Sequence, residues 1–275
     1  MTNIIKDCPI GKILNIETNR CVNINGKIGK EIIKNLTLKP AIKKDAKKPL
    51  VKEDSIIDKK YKSLIVKDKS NKIYLIVNKS IIADLDKNDV ILDPAGLGFM
   101  QHSFAGAGFA SDAIYQLLST NKPNKDVIKH FTQFKDEEYL YEKNKDNISI
   151  AYYSAYNNGD IKIIHAIGPN FSSSSALKKI IKSDDLAKLH KLIYKVYKDI
   201  YKSFIKEYKK NKKLHLRLLP VSTGVFINND KDSKIKIFKC LKIIYQELNT
   251  KYKIHPVIYF YAKDDYELFT KIIIT

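Results

Sequence analysis

Cysteine, arginine and long apolar runs are scarce in this 275-residue sequence. Its three cysteines are too few for a disulfide scaffold and are typical of a reducing compartment. No apolar run approaches the roughly 20 residues that a membrane span needs, and nothing at the N-terminus resembles a signal peptide. We therefore expect an intracellular protein that is not secreted and has no membrane partner.

Clusters of metal ligands are also missing from the sequence. Cys8 and Cys21 have no histidine near them and amount to half a zinc site. The six histidines are scattered without the spacing that is typical of ligands. The sequence therefore predicts neither a bound metal nor a cofactor.

Lysine, in contrast, is abundant, whereas Arg20 and Arg217 are the only arginines. The formal charge of +20 and the pI near 9.5 favour contact with polyanions such as nucleic acid. Because the lysines are spread along the chain, AT-rich coding is the simpler explanation, and we expect any nucleic-acid binding to be weak. The apolar content of 44% is enough to bury a sizeable core.

Two loops of small residues follow predicted strands. The first lies between a strand at 90–92 and a helix that opens near Ser111, and it holds Gly96, Gly98, Gly106 and Gly108. The second, LLPVSTGVF at 218–226, follows an apolar strand at 214–219. Such loops either turn tightly or bring backbone amides close to an anion, usually a phosphate. Since open α/β sheets bind ligands outside the carboxyl ends of their strands, the two loops are expected to form one cleft.

Strands and helices alternate along most of the remaining chain. We predict strands at 61–66, 73–77, 148–153, 161–167 and 257–261, and helices at 126–141, 184–208, 232–248 and 264–274. The helix at 184–208 has apolar residues spaced by three and four along one face, and Ser183 is its expected cap. This alternation predicts an α/β protein, a three-layer α/β/α sandwich with a mixed, mainly parallel sheet.

Three segments together resemble the macro domain, the ADP-ribose-binding module. They are DVILDPAG with GAGFASDAI, then IIHAIGP, then PVSTGVF. The family's patterns are DAIVNAAN followed by GGGV and a helix, an IHxVGP strand, and PxISTGVYG. The resemblance covers about residues 61–275 and implies the same macro-like sandwich.

The resemblance implies ADP-ribose or an ADP-ribosylated protein as the ligand. It places the diphosphate against the backbone of Gly106, Ala107, Gly108, Phe109, Ser222, Thr223, Gly224 and Val225. The distal ribose is then expected on Phe226. Ser80 stands near the position of the family's adenine-binding aspartate, with Asp84 or Asp86 as acids that compensate.

The same resemblance leaves the activity open. Active family members hold the distal ribose with the last asparagine of NAAN, where this chain has Gly96, and Asp93 replaces the first asparagine. Asp93 and His102 are the candidate bases for hydrolysis. His165 is expected to pack structurally, and Asp112 to cap its helix.

We expect ADP-ribose binding with little or no turnover. The alternatives are an ADP-ribosyl hydrolase that uses the same cleft, and a divergent fold that binds RNA or another polyanion.

The N-terminal segment CPIGKILNIETNRCVNINGKIGKEII resembles the two-cysteine adaptor segment of large DNA viruses. That resemblance implies a viral protein, in host cytoplasm or virion, that docks a protein partner through this segment. Together with the ADP-ribose site, it makes the countering of host ADP-ribosylation a candidate role, above all for the hydrolase alternative. By its chemistry alone, the segment is a two-thiol module or a disordered arm. We expect an adaptor-like arm at 1–34, a Lys-rich linker at 35–60 and the macro-like domain at 61–275.

Overall fold

The computed structural model describes residues 12–15, 20–23, 26–27, 64–68, 73–136, 141, 148–172 and 175–275. The chain divides into two units, Met1–Leu50 and Val51–Thr275. In the first unit, β1 (Lys12–Asn15) and β2 (Arg20–Asn23) form an antiparallel pair. The expected linker at 35–60 and Cys8 of the adaptor-like arm lie outside the described residues. The division into three segments therefore stays a prediction.

The second unit is built on a mixed sheet that has seven strands in the described part of the chain. They are β3 (Leu64–Lys67), β4 (Ile73–Val77), β5 (Asp89–Asp93), β6 (Ala151–Tyr156), β7 (Ile161–Ala166), β8 (His215–Leu218) and β9 (Val257–Tyr259). Their order is β3-β4-β9-β8-β5-β7-β6. The five inner strands run parallel, and β3 and β6 pair antiparallel at the two edges. The predicted mixed, mainly parallel sheet is confirmed.

Helices flank this sheet, as the predicted α/β sandwich requires. They are α1 (Leu97–Gln101), α2 (Phe109–Leu118), α3 (Lys125–Phe131), α4 (Ser175–Lys182), α5 (Leu186–Tyr208), α6 (Lys231–Tyr252) and α7 (Lys263–Ile274). The long helices α5 and α6 pack against each other. They correspond to the segments that the apolar spacing predicted at 184–208 and 232–248. No helix within the described ranges is long and apolar enough to cross a membrane.

Some local predictions differ from the structure. The helix predicted at 126–141 ends at Phe131, and the short helices α1 and α4 were not predicted. The cap of α5 is Asp185 rather than Ser183, because the Asp185 carboxylate accepts a hydrogen bond from the Lys188 amide at 3.2 Å. The Ser183 hydroxyl donates instead to the Ile180 carbonyl, at the end of α4.

The position of β5 and β8 in the sheet sets where a ligand can bind. All five residues of β5 are buried, as expected for a strand covered on both faces. The strands β5, β8 and β9 are parallel neighbours, so their carboxyl ends lie side by side. The segments that follow these three strands therefore leave the sheet at one edge, where open α/β sheets place their ligands.

Arg217, which interrupts the apolar pattern of β8, is fully buried. Its guanidinium donates to the carbonyls of Ile81, Ala83 and Asp84 at 2.6–3.0 Å and to the Asp89 carboxylate at 2.5 Å. Arginine suits this place because its planar group carries several donors in a fixed arrangement. The side chain ties the turn after β4 to the start of β5 and to β8.

Candidate functional site

A cavity of about 530 Å³ lies at the carboxyl ends of β5, β8 and β9. This volume falls within the range of small-molecule and cofactor sites. One wall comes from the segments after β5, including Gly96, Phe99 and Ser111. The segment after β8 also lines the cavity, and further lining residues follow β9. The strand order places the β8 segment between those of β5 and β9.

The structure brings the two small-residue loops together in this cavity. The residues predicted for the ligand that line it are Gly106, Ala107, Gly108, Ser222, Thr223, Gly224, Val225 and Phe226. They come from positions more than a hundred residues apart in the sequence, and they meet because β5 and β8 are neighbours. Phe109 begins α2 directly after the first loop.

The first loop leads into α2, whose N-terminus lies at the cavity. Gly106 has a φ of +82°, a left-handed conformation that favours glycine. Gly108 occupies the N-cap position of α2 and has no side chain to cap the helix. Asp112 was expected to be the cap, but its carboxylate accepts from Gln116 within α2 instead. The amides of the first turn of α2 are therefore left for an anion, which the helix dipole also favours.

The second loop is held in place by Tyr197 on α5. The Tyr197 hydroxyl donates to the Leu219 carbonyl at 2.6 Å and accepts from the Val221 amide at 2.8 Å. Burial raises the pKa of Tyr197, so the phenol keeps its proton. The Thr223 hydroxyl adds a further bond to the Pro220 carbonyl at 2.9 Å. The loop is thus fixed before any ligand binds, which lowers the entropic cost of binding.

Two glycines beside this loop face different surroundings. A Cβ atom built on Gly168, after β7, would lie 2.2 Å from Val221 Cγ1 and 2.7 Å from Ser222 Oγ. The loop therefore packs directly on Gly168. A Cβ atom built on Gly224 would meet nothing within 4 Å, although Gly224 lines the cavity. Gly224 is exposed, and a side chain there would find open space at the edge of the cavity.

The end of the cavity near β9 carries residues that the sequence did not point to. Tyr261 is 75% exposed and presents an aromatic surface. Lys234 of α6 and Asp265 of α7 also line the cavity and form an ion pair, with Nζ 2.7 Å from Oδ1. An aromatic residue just after the last strand was a usable signal. Lys234 and Asp265 could not be singled out from the sequence, because charged residues are common throughout the chain.

Asp93, a candidate base, lies outside this cavity lining and is fully buried. Its carboxylate accepts hydrogen bonds from Ser111 Oγ and Tyr115 OH, both at 2.7 Å, and lies 2.8 Å from His165 Nδ1. His165 is buried as expected, and its Nε2 is 2.8 Å from the Tyr156 hydroxyl. Burial and the nearby Asp93 carboxylate raise the pKa of Tyr115, and burial raises that of Tyr156 to about 12. Asp93 is thus the centre of a buried network behind the cavity wall.

The second candidate base, His102, and the candidate adenine-binding residue, Ser80, also lie outside the cavity lining. His102 is exposed at the end of α1, and Ser80 begins the turn after β4. Neither is among the residues that line the cavity. Asp84 pairs with Lys79 at 2.9 Å on the surface. Within the described ranges, no group of three histidine, cysteine or acidic residues is arranged to hold a metal ion.

The fold and the cleft define a three-layer α/β protein with a ligand site at the carboxyl edge of its sheet. No family profile and no curated protein sequence matches the chain. Among solved structures, the chain is similar to a macrodomain of Oceanobacillus iheyensis with ADP, at 17% identity and a TM-score of 0.43, over 76% of this chain and 94% of that one.

Two further solved structures are similar at the same level. A Trypanosoma brucei macrodomain in complex with ADP-ribose has 14% identity and a TM-score of 0.43, over 72% of this chain and 68% of that one. The alphavirus P23pro-zbd has 16% identity and a TM-score of 0.41, over 72% of this chain and 23% of that one. At these identities the similarity concerns the fold alone.

Proposed function

We propose that this protein binds ADP-ribose, either free or attached to a protein, in the cavity between its two loops. One observation carries the proposal. Two loops of small residues, distant in sequence, converge on one cavity with an uncapped helix start on one wall and an exposed aromatic residue at one end. The resemblance of the same loops to those of the macro domain supports this ligand.

The chemistry of the lining fits the parts of ADP-ribose. Backbone amides and the start of α2 suit the diphosphate. We assign the adenine to the end of the cavity near β9, where Tyr261 offers a stacking surface. Asp265 then takes the role of acidic hydrogen-bond partner that Ser80 does not fill, and Lys234 adds positive charge.

Gly224→Val tests the proposal in a calorimetric titration with ADP-ribose. We expect the added β-branched side chain to block the approach of the diphosphate to the loop, so binding should weaken by about 1–3 kcal/mol through lost backbone hydrogen bonds to charged oxygen. Gly98→Ala is the matched control, because its Cβ atom also meets nothing within 4 Å but Gly98 does not line the cavity. Equal affinity of both variants and wild type would contradict the assigned site.

We propose binding without appreciable turnover. Among the described residues that line the cavity, Lys234 and Asp265 are the charged ones, and they pair with each other. The buried position of Asp93 argues against its action as a base on bound substrate. Release of ADP-ribose from a mono-ADP-ribosylated protein by wild type, abolished in Asp93→Ala, would instead favour the hydrolase alternative.

Binding of RNA through charge is the remaining alternative, favoured by the formal charge of +20. We expect a short RNA, titrated beside ADP-ribose, to bind weakly and to lose affinity steeply with salt, because each neutralised phosphate releases a counterion. Tight RNA binding that survives moderate salt, without ADP-ribose binding, would make this the main function.

We further propose that residues 1–34 dock a protein partner and take no part in ligand binding. The resemblance of this segment to the viral two-cysteine adaptor supports a viral protein that recognises host ADP-ribosylation. A chain without residues 1–34 is expected to bind ADP-ribose as tightly as the full chain. A large loss of affinity would show that the segment contributes to the site.

A further inference from the structure

We propose that the outer face of α5 is a second binding surface, which holds the phosphate backbone of a nucleic-acid duplex independently of the cavity. At 3.6 residues per turn, one arc of about 80° on this helix contains only lysines. This lysine row consists of Lys188, Lys191, Lys195, Lys198, Lys202, Lys206 and Lys209. The row lies opposite the buried face of α5, which includes Leu189, Ile193 and Ile200.

The exposed charge of the lysine row is positive along its length. Five of its seven lysines are exposed, and Lys195 and Lys198 are half-buried. Asp199 lies beside the row but is only 9% exposed, and its carboxylate accepts a hydrogen bond from the Ile150 amide at 3.1 Å. From Lys188 to the last lysine, the row extends over about 32 Å at 1.5 Å per residue.

Position, rather than number, distinguishes these lysines from the others in a lysine-rich chain. The helix α6 is nearly as long, with 22 residues against 23 in α5, and provides the comparison. Its lysines are spread around the helix, and neighbouring elements engage some of them. Lys234 pairs with Asp265, and Lys242 donates to the Ile272 carbonyl at 3.0 Å. AT-rich coding explains many lysines, but not a helix face made of lysine alone.

The chemistry of the lysine row suits the phosphate backbone rather than the bases. Lysine binds phosphate as a compact point charge. The aromatic side chains of α5 are buried or half-buried, so the helix has no exposed stacking surface for the bases of a single strand. A short duplex is straight and carries one negative charge per roughly 1.7 Å of its axis, which matches a straight row of cations. Such contacts do not read base sequence.

The lysine row and the cavity are separate surfaces. None of the seven lysines is among the described residues that line the cavity. The buried face of the same helix supports the cavity loop, because the Tyr197 hydroxyl bonds to Leu219 and Val221. We therefore expect a duplex and ADP-ribose to bind at the same time. The inference does not depend on binding of ADP-ribose.

Fluorescence anisotropy with duplexes of about 12 base pairs tests the inference, since roughly 3.4 Å per pair lets them cover the row. Duplexes of two unrelated sequences, as DNA and as RNA, should bind the full chain with similar affinity. The row variant neutralises three exposed lysines of α5: Lys191→Gln, Lys202→Gln and Lys206→Gln. The control variant neutralises three exposed lysines of α3 and α7: Lys125→Gln, Lys129→Gln and Lys271→Gln.

The two variants have the same net charge, so a difference between them reports position. At about 50 mM salt the row variant should bind roughly 10-fold more weakly or worse, and its slope of log affinity against log salt should fall by about 2–3. The control variant should bind like wild type. Equal losses in both variants would overturn the inference, and so would tighter binding of a single strand than of a duplex.

Acetylation of wild type gives a measurement that does not depend on how the variants fold. A bound duplex should slow the modification of Lys191, Lys202 and Lys206 but leave Lys125 and Lys129 unchanged, as measured by peptide mass spectrometry. Displacement of the duplex by saturating ADP-ribose would place it in the cavity and contradict the inference. Tighter binding to vesicles of phosphatidylserine and phosphatidylcholine, with protection of the same lysines, would assign the row to a membrane surface instead.

Discussion

Gly168 is a residue whose importance comes from what lies against it. Val221 and Ser222 occupy the space that a side chain would need, and both belong to the loop that forms one wall of the cavity. Ser222 itself has a φ of +66°, which is unusual for a residue other than glycine. The absence of a side chain at 168 therefore allows the strained loop to pack close to the end of β7.

We predict that Gly168→Ala lowers the free energy of unfolding by about 1–3 kcal/mol, the usual effect of an extra methyl group in a packed site. Urea denaturation measures the change. Gly98→Ala is the control, because α1 has room for the methyl group and a helical alanine is favoured over glycine. Unchanged stability of Gly168→Ala would mean that the loop can move away from β7.

Arg217 gives a second prediction at single-residue scale. Arg217→Met should lower the free energy of unfolding by about 3–5 kcal/mol, because it leaves the buried Asp89 carboxylate without its cation. Arg217→Lys should also destabilise, since an ammonium group cannot satisfy three carbonyls and a carboxylate in the same plane. If the double variant Arg217→Met with Asp89→Leu were as unstable as the sum of the single changes, the pairing would not be the cause.

Among the helices, α6 has Asp230 as its N-cap, and the contribution of this residue to stability depends on pH. The Asp230 carboxylate accepts from the Ser233 hydroxyl and amide, and lies 3.1 Å from Lys182 Nζ of α4. The Ser233 hydroxyl, then Lys182 and the Ser233 amide, lower the pKa of Asp230 from 3.8 to about 2. Because the folded pKa is lower than the unfolded one, this carboxylate stabilises the protein above about pH 4. Its contribution is lost as the pH falls toward 2.

We therefore expect Asp230→Ala to be less stable than wild type at pH 7, with a difference that shrinks between pH 4 and pH 2. Urea denaturation at each pH measures this difference. Asp230→Asn is the matched control, since asparagine also caps helices but does not titrate. A difference between wild type and Asp230→Ala that stays constant down to pH 2 would contradict the role of the ionised cap.

Elements with strong periodicity were predictable from the sequence, and those fixed by tertiary contacts were not. The spacing of apolar residues predicted α5 and α6 because each buries one continuous face. The five-residue α1 lies inside a glycine-containing segment and has no such pattern. The position of β9 between β4 and β8 depends on contacts between distant strands, which local sequence does not record.

The candidate site was predictable to the same extent. The small-residue loops were recognised because close approach of backbone to a ligand demands glycine there. Ser111, Lys234 and Asp265 are common residue types on helices, and only the fold shows that they reach the cavity. Asp93, in contrast, was selected from the sequence but does not line the cavity. Its place in the motif suggested chemistry, whereas the structure surrounds it with Ser111, Tyr115 and His165.

For the whole molecule, we predict that the second unit folds without the first. Deleting residues 1–55 should change the thermal midpoint by no more than about 4 °C, the shift that 1 kcal/mol produces in a domain of this size. Differential scanning calorimetry of the full and shortened chains measures it. Collapse of the shortened protein would show that the N-terminal residues are part of the folded core.

The central place of β9 also determines which strand edges stay unpaired while the chain is being translated. β4 and β8 are translated before β9, yet each borders it in the sheet. While residues 219–259 are being added, which takes roughly 2–8 s at typical elongation rates, both strands present open edges. Such edges are templates for pairing with other chains. The nascent protein is therefore exposed to aggregation until its last strand is made, and chaperone demand should concentrate in that interval.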